Sequence, residues 1–524
     1  MPRRRHGAVA RLASTPRSIS TVKFSSRSRS STKSLRHSLT CPLSRQAVIG
    51  ALPDKVLLNV FFYFLEVSPR DWPKLVHTCR KWRRIVFSYQ RLLQLRLLCT
   101  HGTPAKKTLD FWPATLPVVV EYGGSPGLDP PAPEDENDIM AVFKRSERVN
   151  SISLTITSSL LEKLSAIKTP FSELEHLVLL SRDTSGSSPR LTVPSAFGWS
   201  TRLRTLHLTR VTFFALPQLL YSSRSLVDLQ LYKVFNPWLF SPEALTDALS
   251  GMDQLRSLSL HFIPITDYIG VSQPFGKRVI LPSLTHLNFG GITKYLEDFM
   301  TGIDPPRLRD IGITFVDGFI SDDSQVIRYI DRIRMHHSYR QAQMLSSENA
   351  ISISFIQPEP YTRIKFQLLC GPLSLQLSSM ARIFTQFSAL FRDVEDLRIK
   401  VTRQSRQKDS SSRSAGRWLE PLNFFGGVKR LHVVGNLSTD IIHALELPDN
   451  VLPSLHGLYI PQPGPHHVPL REAVVSFMTS RRLSGRPIAV EYERYEPLSQ
   501  ISELSDAGAK YAQCRCHCSL TYFH

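Results

Sequence analysis

The chain is predicted to be α/β, a short helical module followed by a curved, repeat-built parallel sheet. Three observations predict this. Apolar residues recur at helical spacing between Val56 and Val86. A second pattern, apolar residues at positions 1, 4 and 6 of a hexad, returns at steps of 25, 29, 23, 29, 29 and 24 residues from Val149 to Leu308. Steps of that size belong to solenoids in which each repeat is one supersecondary unit stacked on its neighbours. The apolar fraction, 42%, is that of a globular chain, and no apolar run reaches the length of about 18 residues that marks a membrane span. At 524 residues, two or three structural units are expected.

Residues 1–48 read as a disordered basic tail, rich in Ser and Arg. They hold eleven Lys/Arg and no Asp or Glu, more than half of the net charge of +20. So little apolar surface cannot offset the entropy of ordering the segment. Beside a solvated tail, three further readings stand. Arg3-Arg4-Arg5 fits a nuclear-import or nucleic-acid-binding tail, the acid-poor Arg/Ser composition fits a mitochondrial transit peptide, and Ser/Thr beside Arg invites phosphorylation. No apolar segment comes after the first basic residues, so a secretory signal is not expected.

The helical module is expected over 49–100. Pro53 suits the first turn of a helix, and Asp54 sits at the positive end of its dipole. Val56, Leu57, Val60, Phe61, Phe64 and Leu65 then hold one helical face until Ser68-Pro69. Trp72, Leu75, Val76, Cys79, Trp82 and Val86 keep the same steps, with Arg80, Lys81, Arg83 and Arg84 on the other side. A third apolar run, Leu92 to Leu98, ends before Gly102. Three short helices bury little between them, so the surplus apolar surface either caps the repeats behind it or docks a partner.

The same residues resemble the F-box motif: Leu52-Pro53-Asp54, Val56-Leu57, Val60-Phe61, Leu65, Leu75-Val76 and the run Cys79-Arg80-Lys81-Trp82-Arg83. The resemblance covers about residues 50–90. It departs at Glu66 to Trp72, where the link to the second helix is longer than usual. The segments LRLLCTHGTP and FWPATLPVVVEY are similar to those found just after the motif in many fungal F-box proteins. The resemblance implies a Skp1-type adaptor, within a cullin complex, held by the apolar face. By position, Leu52, Pro53, Val56, Leu57, Val60, Leu75, Val76, Cys79 and Trp82 would make or support that contact.

Residues 101–148 read as a Pro-rich linker with an acidic loop, containing a strand near Pro117–Tyr122 and a helix over Ile139–Arg148. The array then runs over 149–462 as degenerate leucine-rich repeats. Examples of its hexads are Leu203-Leu206-Leu208, Leu226-Leu229-Leu231 and Leu255-Leu258-Leu260. Ser241 to Gly251 is the clearest helix between strands, with Ser241 as N-cap, Pro242 in the first turn and Gly251 as stop. The period breaks over 315–390. There Tyr329–Ser346 reads as a helix, Ala350–Phe355 and Tyr361–Leu369 read as strands, and Ala350-Ile353-Phe355 fits one more degenerate repeat. Residues 402–416 read as a disordered Ser/Arg-rich loop, and 463–524 as a C-terminal cap and tail.

If the last two apolar positions of each hexad point inward, strand alternation turns their neighbours outward. This gives Thr205, His207, Asp228, Gln230, Ser257, Ser259, His286 and Asn288 as the candidate partner-binding face. Later strands add Asp396, Arg398, Arg430, His432 and Tyr459. The face is polar, with few charges early and more basic residues late. It shows no Ser/His/Asp order, carboxylate pair or phosphate-binding glycine loop, so no catalytic residue and no cofactor are expected. Cys514, Cys516 and Cys518 lack the second ligand pair that zinc sites use, so no metal is expected. An odd, mostly scattered set of seven cysteines fits a reducing compartment, cytoplasm or nucleus. The expected function is a non-enzymatic substrate receptor of a Skp1–cullin–F-box ubiquitin ligase. The alternative is an interaction scaffold that does not deliver ubiquitylation. The protein partner itself is unknown from sequence, no membrane is involved, and nucleic acid is expected, if at all, only through the tail.

Overall fold

The computed structural model describes residues 52–493, apart from 102, 104, 124–131, 182–199, 212–215, 235–240, 263–277, 316–324, 335–337, 348, 360, 370–372, 402–410, 436–437, 447–450 and 463–467. The readings of the basic tail and of Cys514, Cys516 and Cys518 lie outside the described residues.

Three helices open the described chain: Asp54–Val67, Trp72–Thr78 and Arg80–Ser88, with a 3-10 turn at Pro69–Asp71. The carbonyl of Pro53 accepts from Val56 N and Leu57 N and so starts the first helix. The predicted second helix divides at Cys79, whose backbone is extended at φ −157°, ψ 169°. The third apolar run is not helical. Its end, Leu97–Cys99, is the first strand of a sheet.

The strands are β1 Leu97–Cys99, β2 Val118–Tyr122, β3 Val149–Ile156, β4 His176–Ser181, β5 Thr205–Thr209, β6 Asp228–Val234, β7 Ser257–Phe262, β8 Val279–Ile280, β9 His286–Gly291, β10 Ile303–Asp304, β11 Asp310–Phe315, β12 Gln341–Ser346, β13 Ala350–Gln357, β14 Thr362–Leu369, β15 Asp396–Val401, β16 Arg430–Gly435, β17 Gly457–Pro461 and β18 Ala489–Glu493. Sixteen form one sheet in the order β1-β2-β3-β4-β5-β6-β7-β9-β11-β14-β13-β12-β15-β16-β17-β18, while β8 and β10 pair separately. Every pairing in the large sheet is parallel except that β13 runs antiparallel to both its neighbours.

The hexad explains the stacking. Leu177 and Leu179, Leu206 and Leu208, Leu229 and Leu231, and Leu258 and Leu260 lie opposite one another strand by strand, and all are buried. A recurring tie precedes each of these strands. Glu175 O accepts from Arg204 N and Thr205 N, Arg204 O from Val227 N and Asp228 N, and Val227 O from Arg256 N and Ser257 N. Successive helices pack on one another along the sheet's leucine side. Packed helices need about 8–10 Å each and paired strands about 4.8 Å, so the sheet curves with its helix-free face inside. The architecture is therefore mixed α/β, N-terminal helices followed by a large curved, mostly parallel sheet. The predicted helix over Ser241–Gly251 is present as Pro242–Leu249, and Ser241 Oγ accepts Ala244 N at 3.2 Å.

Five expectations between residues 101 and 416 are corrected. Residues 101–148 are part of the array rather than a linker, because β1 and β2 pair with each other and with β3. The acidic run Glu134-Asp135-Glu136 lies in the helix Pro133–Phe143, which starts six residues before the expected Ile139. Pro133 and a carboxylate-rich first turn favour that start, and the Asp135 carboxylate accepts Ala132 N at 3.0 Å. Of Tyr329–Ser346, read as one helix, the start belongs to the helix Gln325–Arg334 and Gln341–Ser346 is β12. Ala350–Gln357 is the antiparallel strand and not a repeat, since the chain skips two places to lay β12, then returns through β13 to place β14 beside β11. Of the expected loop at 402–416, residues 402–410 lie outside the described residues and 411–416 are helical: a helix spans Ser411–Leu422, with Trp418 and Leu422 fully buried as its anchors.

Candidate protein-interaction surfaces

Two surfaces stand out, one on the first helix and one on the inside of the sheet. On the helix Asp54–Val67, Leu57, Phe61 and Leu65 are buried at i, i+4 and i+8. The other side carries Val56, Val60, Tyr63, Phe64 and Val67, all exposed: Val60 at 50%, Tyr63 at 67% and Val67 at 85%. A helix that is apolar on both sides needs cover on both. Among the described residues only one side is covered. Phe61 meets Trp82 edge to face at 4.8 Å, Lys81 Nζ donates to Leu52 O at 2.7 Å, and Lys81 and Arg84 pair with Asp54.

The nine residues assigned to adaptor contact from the sequence divide by burial. Pro53, Val56, Val60 and Cys79 are exposed, and Leu52 and Trp82 are half-buried. Leu57, Leu75 and Val76 are core residues with no surface to offer. They hold the helices together from beneath. The assignment from the resemblance left out Tyr63, Phe64 and Val67, which share the exposed side, although the full i, i+4, i+7, i+8, i+11 stripe from Val56 was present in the sequence.

The module also packs on the array. Trp72 stacks edge to face on Trp112 at 4.6 Å and donates its Nε1–H to Arg96 O at 2.8 Å. Phe87 joins the same cluster, and Arg70 pairs with Glu121 at 2.8 Å. Further along, Glu136 is buried and takes hydrogen bonds from Thr157, Ser159 and Lys163, tying the helix Pro133–Phe143 to the next unit. Burial raises its pKa, yet those donors and the Lys163 charge outweigh burial and hold the carboxyl below its ordinary value.

On the inside of the curve, the eight predicted residues are brought together. Thr205, Asp228, Ser257 and His286 are in register with one another, as are His207, Gln230, Ser259 and Asn288. His286 and Asn288 are exposed and the other six half-buried. Two of them pair: His207 Nε2 and Asp228 Oδ2 are 2.7 Å apart. Burial pushes the Asp228 carboxyl up, but the His207 hydrogen bond and charge outweigh it and the pKa lies below its ordinary value. The face continues onto β14, which the hexad did not mark, and onto the later strands that it did. Arg363 binds Asp310 through two bonds of 3.0 and 2.7 Å, and Lys365 lies further along the same strand. Arg430 binds Asp396 in the same two-pronged way, and His432 stacks on Tyr459 at 4.3 Å.

Among the described residues no group of three or more His, Cys, Asp or Glu is arranged to hold a metal, and no helix is long and apolar enough to cross a membrane. Cys79 and Cys99 are free thiols. Cys99 is buried, and burial pushes its pKa up to about 12, with Asp138 adding to the rise.

The family model for F-box-like domains matches residues 49–98. No curated protein matches the chain. Among solved structures, a leucine-rich-repeat protein of Leptospira interrogans is similar at 11% identity and a TM-score of 0.26, covering 72% of this chain and 76% of its own. The chain carries an F-box-like segment whose last residues enter β1, the first strand of the large, mostly parallel sheet.

Proposed function

We propose that this protein is a substrate-recognition subunit of a Skp1–cullin–F-box ubiquitin ligase and acts without catalytic residues of its own. The observation that carries the reading is the second apolar side of the helix Asp54–Val67, exposed within a segment similar to F-box-like domains. A cap for the solenoid needs one apolar side, which the Trp72–Trp112 contact already uses. The remaining stripe suits a Skp1-type adaptor, and the inside of the sheet suits a protein substrate. Ubiquitin transfer would come from proximity, supplied by the other subunits. The residues just after the motif support a place among fungal F-box proteins. The odd, mostly scattered set of seven cysteines supports the cytoplasm or nucleus as the site of action.

The test is co-purification with Skp1. Leu52→Ala with Pro53→Ala, or Val60→Asp with Phe64→Asp, is expected to abolish it while the circular dichroism of the rest of the chain is unchanged. Undiminished recovery of Skp1 with both folded double variants would refute the reading. The tight packing of the module on the array favours one alternative, a scaffold that binds partners without delivering ubiquitylation. Measuring the lifetime of a bound partner with the Val60→Asp and Phe64→Asp double variant separates the two, since only for a ligase subunit does loss of the adaptor face lengthen that lifetime.

A further inference from the structure

The inside of the sheet is unevenly charged, and the unevenness tracks the strand register. The central row has no carboxylate from Ser153 on β3 to Tyr459 on β17; only its two ends are acidic, Glu121 on β2, bound by Arg70, and Glu491 on β18. The row beside it, from Thr155 to Val434, contains none either. The third row has three, Asp228, Asp310 and Asp396, and each is bound by a basic neighbour, His207, Arg363 and Arg430. Lys365, Arg398 and Lys400 make no ion pair among the described residues. Positive charge is therefore left over on this face.

The backbone concentrates that charge in the middle of the face. Gly290 and Gly312 carry no side chain, and His261 and Asn288 lie over them. Asn288 Oδ1 is 2.7 Å from where a Cβ on Gly312 would sit. Lys233, at a bulge between Tyr232 and Val234, takes the left-handed conformation at φ +52°, which a non-glycine residue adopts only when its surroundings require it. Its ammonium sits 5.6 Å from the Tyr232 ring, which in turn packs on His261 at 5.0 Å. Burial keeps His261 neutral, with a pKa of about 4, and the charges that lower it further are Lys365 and Lys233. Burial also lowers the pKa of Lys365, and Arg363 lowers it more, with Asp310 opposing. A half-buried ammonium beside another cation is a site that gains from an incoming anion.

We infer that this face docks an extended acidic segment of a partner protein, with Lys365 as its central anchor and Arg398 and Lys400 as its second. Lys365 and Arg398 lie in one row three strands apart. Three steps at about 4.8 Å give about 14 Å, and a similar span separates Lys365 from the strand of His261. A segment of about nine extended residues covers both spans. Few cations, separated by Ser354 and Gln343, match a carboxylate about every fourth residue of an extended segment. Nucleic acid carries a charge about every 3.4 Å of strand and needs a denser basic stripe. The inference rests on the reading of this face as the recognition surface and adds the chemistry of its ligand.

The experiment is fluorescence anisotropy with the full chain. The probe is a fluorescein-labelled twelve-residue peptide with Glu at alternate positions between Ser and Gly. Its Gln counterpart and a twelve-nucleotide single-stranded RNA are the controls. The Glu peptide is expected to bind and the Gln peptide not. Lys365→Glu and Arg398→Glu should each weaken binding at least tenfold, while Lys74→Glu on the helical module leaves it unchanged. Lys365→Gln, which keeps length without reversing charge, serves if Lys365→Glu does not fold. The basic tail is present in every variant, so binding that survives all the changes on the sheet belongs to the tail and overturns the inference. Equal binding of the Gln peptide, or tighter binding of RNA that displaces the Glu peptide, also overturns it. Val60→Asp with Phe64→Asp must leave peptide binding intact, so failure of adaptor docking and failure of this inference read out separately.

Discussion

Leu57 and Val60 lie three residues apart on one helix and do different work. Leu57 is 1% exposed and Val60 50%. Leu57→Ala removes core volume and is expected to destabilise the module by about 2–5 kcal/mol. Val60→Ala is expected to change stability by less than about 0.5 kcal/mol. Urea denaturation of the two variants checks this, and equal losses would contradict the burial described. His261 offers a second test at this scale. Its folded pKa of about 4 lies below the ordinary 6.5, so on acidification the unfolded chain takes up the proton first. Stability is expected to fall as pH drops from about 6.5 towards 4, by at most about 3 kcal/mol from this residue. Denaturation at pH 7 and pH 5 should show a smaller acid loss in His261→Asn than in the unchanged chain.

Individual elements are held by local chemistry that can be removed one group at a time. Ser241→Ala deletes the side-chain oxygen that caps the helix Pro242–Leu249. A cost of about 1 kcal/mol is expected, read as a lower urea midpoint at unchanged slope. Gly435 ends β16 at φ +118°, and a Cβ there would collide with the carbonyl of Val401 on β15. Gly435→Ala is expected to cost more than the cap does, because it adds backbone strain to a clash. Ser241 was legible in the sequence because an N-cap is a local signal. The antiparallel β13 was not. Its alternation matches that of a repeat strand, and nothing within one strand states the direction of its neighbour. The helix at Ser411–Leu422 was hidden by its polar first turn, which reads as loop until Trp418 and Leu422 find the core.

Over the whole molecule, the helical module and the array share one hydrophobic core. A fragment starting at residue 100 loses β1 and leaves Trp112 without Trp72 and Phe87, so it is expected to aggregate or melt earlier than a fragment starting at residue 49. Size-exclusion chromatography and thermal circular dichroism of the two fragments decide it. The sequence alone determined the α/β class, the repeat period, the leucine stack and the polar inner face. Each of these comes from side-chain spacing along a single element. It also determined that the stretch from Leu52 to Trp82 has more apolar surface than three short helices can bury. Only the tertiary structure decided which of those apolar residues stay exposed: Val56, Val60, Tyr63, Phe64 and Val67 face out, and Leu57, Leu75 and Val76 do not. It alone joined residues 97–122 to the sheet and set Lys233, His261 and Lys365 around two glycines. These outcomes depend on contacts between residues far apart in sequence, and no local spacing encodes which strand lies beside which.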